Sequence, residues 1–463
     1  MPGWTSAMTS RSWTSRSARP PASSSSRSTP ESCPRMNAKI STPLRKLFSH
    51  GLPYVMLSNL AQQGVAFLTV LFVAKFLPPA EFGLVRLALA YTAVAAVLAA
   101  GGITAPILRY CADIAYGNEQ RRSLLAVGLR RTLAIALVVS LVAFGLVLLS
   151  QEDAVQTRVF ATYALQLPAL AIASLLLVYL QAIQRFKAMA IYQVAIRFAM
   201  LVFSVGAVYA YGLTGLLVTT WVMAYLVCVP LLALSRPQFR PAQVIDVPRD
   251  FSSLAFYSVF GTAVTALGQY ADMIILDLAG TPKADIAVYA LATVFFFSAL
   301  GVGGAVQSVA TPMFTSLMRE PAVFKQKLRR WTMRFSMAAI PVAMALVSVA
   351  WLVETRFLGS SYAGLSTLLA ILMLKFFLWS TYAVGGAALV GVGAIKQGAW
   401  IAVFTTIVTI VIGVPLCERY GVHGAAWTQV IVTVMSAMLI WWVLVVETRA
   451  LRNRAALAQA QDA

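Results

Sequence analysis

The sequence predicts an all-α polytopic membrane protein of about twelve transmembrane helices in two parallel six-helix bundles. Three observations predict it. The 463 residues are 60% hydrophobic and only 11% charged, where a soluble domain carries about 25% charged residues. The apolar residues fall in a succession of stretches close to the ~20 residues that cross a bilayer. A short turn in the first half returns in the second.

The stretches run near 54–77, 83–108, 128–149, 159–183, 189–211, 213–235, 251–279, 286–314, 334–354, 362–390, 396–416 and 423–446. Gly, Pro or charged breaks separate them. Lys and Arg are retained on the cytoplasmic side. With the N-terminus inside, the external loops carry only Lys75, Arg158, Lys283, Arg356 and Arg419, while the inner loops carry clusters such as Lys325, Lys327, Arg329 and Arg330. Both termini are therefore expected in the cytoplasm. The net charge of +20 is then largely a topology signal and not the footprint of a nucleic-acid binder. The inner connectors suit an anionic membrane surface.

Residues 1–35, rich in Ser, Arg and Pro with the single acid Glu31, lack the apolar core of a secretory signal. They are expected to be a disordered tail or a mis-assigned start, with Met36 as the working start; a transit peptide has a similar composition. The remainder divides into an N-terminal bundle (36–235), a cytoplasmic linker (236–250), a C-terminal bundle (251–446) and a cytoplasmic tail (447–463). Cys33, Cys111, Cys228 and Cys417 form no CxxC pair, and His50 and His423 lie far apart. No metal centre, disulfide framework or cofactor site follows from them. The external loops are too short to house a catalytic domain, and no Walker A motif is present.

The echo lies between LPPAEFGLVRLALAYTAV (77–94) and GTPKADIAVYALATVFFF (280–297). At constant offset Pro78 matches Pro282, Ala80 matches Ala284, Glu81 matches Asp285, Leu87 matches Leu291 and Ala88 matches Ala292. Gly101-Gly102 and Pro106 echo Gly303-Gly304 and Pro312 with a small drift. Six spans separate the copies, so the halves run parallel. Such repeats place a site between the halves and suit alternating access. Pro106, Pro168, Pro312 and Pro341 permit bends, because each removes a backbone donor.

The stretch NLAQQGVAFLTVLFVAKFLPPAEFGLVRLALAYTAVAAVLAAGG (59–102) resembles the first two helices of bacterial polysaccharide flippases of the O-antigen type. These belong to the multidrug/oligosaccharidyl-lipid/polysaccharide exporter superfamily, whose fold is the MATE-like pair of bundles. QYADMIILDLAGTPKADIAVYALA (269–292) resembles their seventh helix and following turn. The resemblance covers residues 40–446, mainly through helix count, spacing and these two turns. It implies a transporter in the bacterial inner membrane that turns a polyprenyl-diphosphate-linked oligosaccharide toward the periplasmic leaflet, for lipopolysaccharide or exopolysaccharide synthesis. Membrane lipids and polysaccharide-assembly proteins are the further partners implied. Many superfamily members have fourteen helices, so a groove built from two extra helices is not assumed here.

Charges within spans are expensive and face a cavity or a partner. Arg86 lies about one turn inside the second helix, and either binds substrate or snorkels to the interface. Arg197 lies about 13 Å into the fifth helix at ~1.5 Å per residue, and Lys375 near the middle of the tenth. Both suit charge-assisted bonds to a diphosphate; the alternative is an ion pair with Asp272 or a helix end. Gln62, Gln63, Gln269 and Gln307 either bind sugar hydroxyls or link helices. Asp272 and Asp277 point about 140° apart on one helix. Asp277 lies near the Gly280-Thr281-Pro282 turn. Asp272, deeper by about 7–8 Å, is the stronger candidate for cation or proton coupling. The competing functions are a cation-coupled multidrug exporter of the same fold, which Arg86, Arg197 and Lys375 argue against, and a membrane glycosyltransferase or polymerase, which the short external loops argue against.

Overall fold

The computed structural model describes residues 52–113, 116–150, 153–238, 248–317, 321–392 and 394–461. Residues 1–35, Met36 and most of the linker 236–250 therefore lie outside the described residues. The described chain is helical throughout. In order it forms α1 (Leu52–Phe76), α2 (Pro79–Ala99), α3 (Thr104–Ala112), α4 (Asn118–Leu149), α5 (Ala154–Leu165), α6 (Leu167–Ala182), α7 (Phe186–Leu226) and α8 (Cys228–Ser235). The C-terminal part contains α9 (Phe251–Leu278), α10 (Lys283–Ser316), α11 (Pro321–Leu352), α12 (Leu365–Val392) and α13 (Ile395–Gln461), with a π turn and a 3-10 turn between α11 and α12.

Nine stretches of the described residues are long and apolar enough to cross a membrane, and the protein is a multi-pass membrane protein. Two of the nine, Phe186–Ser235 and Gln397–Arg449, are broken within. Gly212 (φ 59°, ψ −140°) interrupts α7 and Gly421 (φ 53°, ψ −132°) interrupts α13. The breaks share the pattern Tyr-Gly-x-x-Gly, at Tyr211–Gly215 and Tyr420–Gly424. In each, the first glycine takes a backbone that L residues avoid. The second admits the preceding helix: a Cβ on Gly215 would lie 2.2 Å from the Ala207 carbonyl oxygen, and one on Gly424 2.0 Å from that of Leu416. The sequence boundaries 211/213 and 416/423 thus fall on helix reversals. The described α1 carries only a shorter apolar stretch, Ala61–Phe76, so length and composition count nine stretches among the described residues where the sequence predicts about twelve spans, and two of the nine reverse within.

Other boundaries differ from the expected spans. The stretch 83–108 is two helices, because Gly101 and Gly102 both take positive φ and end α2. The stretch 159–183 is likewise divided at Gln166, with Pro168 in the first turn of α6, where a missing N–H costs nothing. Pro341 lies within α11.

Of five buried apolar clusters among the described residues, the three largest organise the packing. The largest joins Phe82 and Leu77 from the N-terminal part to Tyr289, Phe295, Leu369 and Ala425 from the C-terminal part. A second packs Ile107, Leu125, Leu176 and Leu231 with Phe251. A third packs Phe314, Phe324, Val384 and Leu444. One core is therefore shared across the two parts, while two more belong almost wholly to one part each. Phe251 is the exception, at the very start of α9.

Candidate functional site: a polar seam between the two parts

The two parts meet closely at both ends of the seam. At the end holding the α1–α2 and α9–α10 turns, α2 meets α10 so tightly that a Cβ on Gly83 would lie 1.9 Å from the Lys283 carbonyl oxygen. Nearby, the Tyr362 hydroxyl donates to the Ala74 carbonyl at 3.1 Å, and Lys75 donates to the Phe357 carbonyl. At the opposite end, which holds the arginine-rich start of α4, the contacts described involve the α2–α3 corner and the start of α9. A Cβ on Gly102 would lie 2.0 Å from the Ala255 carbonyl oxygen. The Tyr110 hydroxyl donates to Asp250 at 2.5 Å, and Arg109 pairs with the same carboxylate at 3.5 Å. The Tyr110 hydroxyl, with lesser help from Arg109, holds the Asp250 carboxyl below its ordinary range.

Asp272 is buried in α9, and both of its oxygens are engaged. Oδ1 accepts the Met273 N–H at 2.9 Å; Oδ2 accepts the Tyr289 hydroxyl from α10 and Gln429 Nε2 from α13 at 3.0 Å. The other end of that amide, Gln429 Oε1, accepts Lys375 Nζ from α12 at 2.6 Å. The Lys375 ammonium also lies 4.4 Å from the centre of the Phe296 ring, within reach of a cation–π attraction. Four helices of the C-terminal part thus hold a carboxylate and an ammonium joined through one amide. The amide bridges them because its NH2 donates and its oxygen accepts.

Arg86 and Arg197 are placed differently. The Nε of Arg86 is buried with no hydrogen-bond partner, in the neighbourhood of the phenols of Tyr270 on α9 and Tyr163 on α5. It therefore sits where α2 faces the C-terminal part. Arg197 is exposed on α7 and has no described hydrogen-bond or ion-pair partner. One turn away on the same face, Gln193 accepts Gln62 Nε2 from α1 at 3.4 Å.

The remaining candidates divide. Gln63 packs against Gly301 of α10, at 3.4 Å from where a Cβ would stand, and so lies on the seam. Gln269 is exposed on α9. Gln307 Nε2 donates to the Ala383 carbonyl at 3.0 Å and links α10 to α12. Asp277 accepts the Tyr91 hydroxyl of α2 at 2.9 Å and pairs with Lys283. It thus ties α2 to α9 beside the tightly closed end, while Asp272 serves a network inside the C-terminal part.

Sequence reasoning missed Tyr289, Gln429, Gln193 and Tyr91. Gln429 and Gln193 are amides in apolar stretches, the same signal that singled out Gln269. Tyr289 and Tyr91 carried none, because membrane-helix tyrosines read as interfacial anchors.

Comparison with known proteins follows the same lines. The lipid II flippase MurJ in an inward closed conformation superposes with a TM-score of 0.70 at 11% identity, over 87% of this chain and 90% of that one. An inward-facing multidrug-resistance MATE transporter of the MOP superfamily gives 0.65 at 14%, over 86% and 98%. A MOP-superfamily transporter from Pyrococcus furiosus, described as having a binding pocket of reversed polarity, gives 0.61 at 14%, over 87% and 96%. These likenesses establish the fold. No curated protein matches by sequence. The family model described as polysaccharide biosynthesis protein matches residues 49–318, more than half of the chain; the chain belongs to the polysaccharide biosynthesis protein family, on the fold of the MOP superfamily.

Proposed function

We propose that this protein is a flippase that moves a lipid-diphosphate-linked oligosaccharide from the cytoplasmic to the periplasmic leaflet of a bacterial inner membrane. Its parts 36–235 and 251–446 act as two six-helix bundles that rock about the seam, with both termini cytoplasmic. The matching Tyr-Gly-x-x-Gly reversals of α7 and α13 support that repeat.

The observation that carries the reading is the pair Arg86 and Arg197. Neither has a described acidic partner; Arg86, whose Nε is buried, is a costly cation unless an anion arrives, and Arg197 is exposed and open to the same anion. A diphosphate supplies that anion, and the guanidinium fork matches its geometry. Gln62, Gln63 and Gln269 offer amides to sugar hydroxyls. Lys375 reaches the substrate only by leaving Gln429, and its departure strips Asp272 of its counter-charge. Uptake of a proton or cation by Asp272 is thereby linked to release of Lys375, which couples the ion to the substrate. Asp277 serves the closing contact.

Arg86→Ala and Arg197→Ala proteins in vesicles should insert normally and flip lipid-linked oligosaccharide at rates lower by about tenfold or more, the worth of a lost charge-assisted bond. Undiminished flipping removes the proposal. A second reading, a cation-coupled multidrug exporter, has the buried Asp272 in its favour and the two unpaired arginines against it.

A further inference from the structure

A cavity of about 430 Å3 lies between the start of α4, the end of α6 and the end of α8. The described residues lining it come from the N-terminal part and the first residue of the linker, so it is separate from the seam. Four arginines line it, Arg121, Arg122, Arg185 and Arg236, together with Ser235 and Tyr179; among the described residues no Asp or Glu does. The retention of positive residues on one side of the membrane accounts for their number. It does not account for their convergence on one hollow, where like charges repel.

Two groups at this cavity are unsatisfied. Ser235 is 3% exposed and its Oγ has no hydrogen-bond partner. The Nε of Arg121 is buried and equally without one. Of the remaining guanidinium atoms, Arg121 Nη2 donates to the Asp113 carbonyl at 2.6 Å and Arg185 Nη1 to the Leu234 carbonyl at 3.4 Å. Both bonds use backbone oxygens and neutralise no charge. Arg236 lines the cavity from a left-handed backbone at the end of α8, with φ 47°. An arginine in this conformation is uncommon and strained. The start of α4 adds the partial positive charge of a helix N-terminus.

We propose that this cavity binds a phosphate-bearing anion: guanidinium forks, a hydroxyl donor and a helix N-terminus together form a phosphate-recognising set. The volume falls within the ~300–1,000 Å3 of small-molecule sites, which suits a lipid headgroup or a soluble phosphate ester. The site is independent of the substrate path along the seam.

The test titrates inorganic pyrophosphate calorimetrically into the purified full chain, in an Arg86→Ala/Arg197→Ala background that silences the seam. Saturable binding is expected. Arg122→Gln/Arg236→Gln should weaken it by about tenfold or more. Ser235→Ala, a change too small to disturb folding, should weaken it measurably. Lys325→Gln/Lys327→Gln, which removes equal charge from another basic segment, should leave it unchanged. Absence of binding, or equal losses in the arginine and lysine variants, overturns the proposal. Nanodiscs identify the source. If phosphatidylglycerol blocks pyrophosphate and phosphatidylcholine does not, the site takes an anionic lipid headgroup. If neither blocks it, the ligand is soluble.

Discussion

Arg86 Nε and Arg197 in the N-terminal part end without described partners, whereas both oxygens of Asp272 in the C-terminal part are engaged and the chain of contacts ends on Lys375. Charge within the helices is therefore held in two ways. A carboxylate with internal donors and a nearby ammonium contributes to a fixed arrangement of α9, α10, α12 and α13. A lone guanidinium contributes little to folding and stays available to an outside anion. Stability and transport should then separate between the two parts.

The largest effect is expected at Asp272. Asp272→Ala leaves the Tyr289 hydroxyl and the Gln429 NH2 without their acceptor, and the Lys375 ammonium, held through Gln429, without its nearby counter-charge. The protein should lose on the order of 3 kcal/mol of stability, seen as a lower thermal midpoint in detergent. Adding Lys375→Met should recover part of that loss if the two charges are coupled. Full additivity of the two changes would break the contrast between the parts.

Arg86→Met should act in the opposite sense. It removes a buried donor that has no partner, so stability should rise by about 1 kcal/mol, within the usual cost of leaving such a group unmet. A midpoint that falls instead would show that Arg86 is paired, and the two parts would then be alike.

The smallest effect concerns the arginine-rich end of the seam. The Asp250 carboxyl is held below its ordinary range by the Tyr110 hydroxyl. A carboxylate depressed in this way supports the contact above the ordinary Asp pKa and ceases to as the pH falls through the lowered value. The Tyr110–Asp250 contact should therefore persist through neutral pH and fail only below about pH 4. Tyr110→Phe should move that loss to higher pH, as read by hydrogen exchange of the first turns of α9. An unchanged profile would show that Tyr110 does not control this end.

Much of the helical order was legible in the sequence because hydropathy and glycine breaks act locally. The reversals at Gly212 and Gly421 fell between expected spans for that reason. The division of 83–108 was less legible, since Gly101-Gly102 reads equally as a tolerated glycine pair and as a break. Asp272 and Lys375 were each recognisable as costly charges in apolar helices. Their connection was not, because it passes through Gln429, far away in sequence and chemically neutral.

What the sequence determined by itself is the membrane setting, the helical class and the presence of ionisable groups within spans, all consequences of transferring side chains and backbone out of water. Which of those groups are satisfied depends on the packing. Asp272 and Asp277, five residues apart, look alike in sequence. One ties four helices of a single part together and the other ties the two parts to each other. Hydrogen-bond partners are set by which helices meet, and the chain order does not carry that geometry.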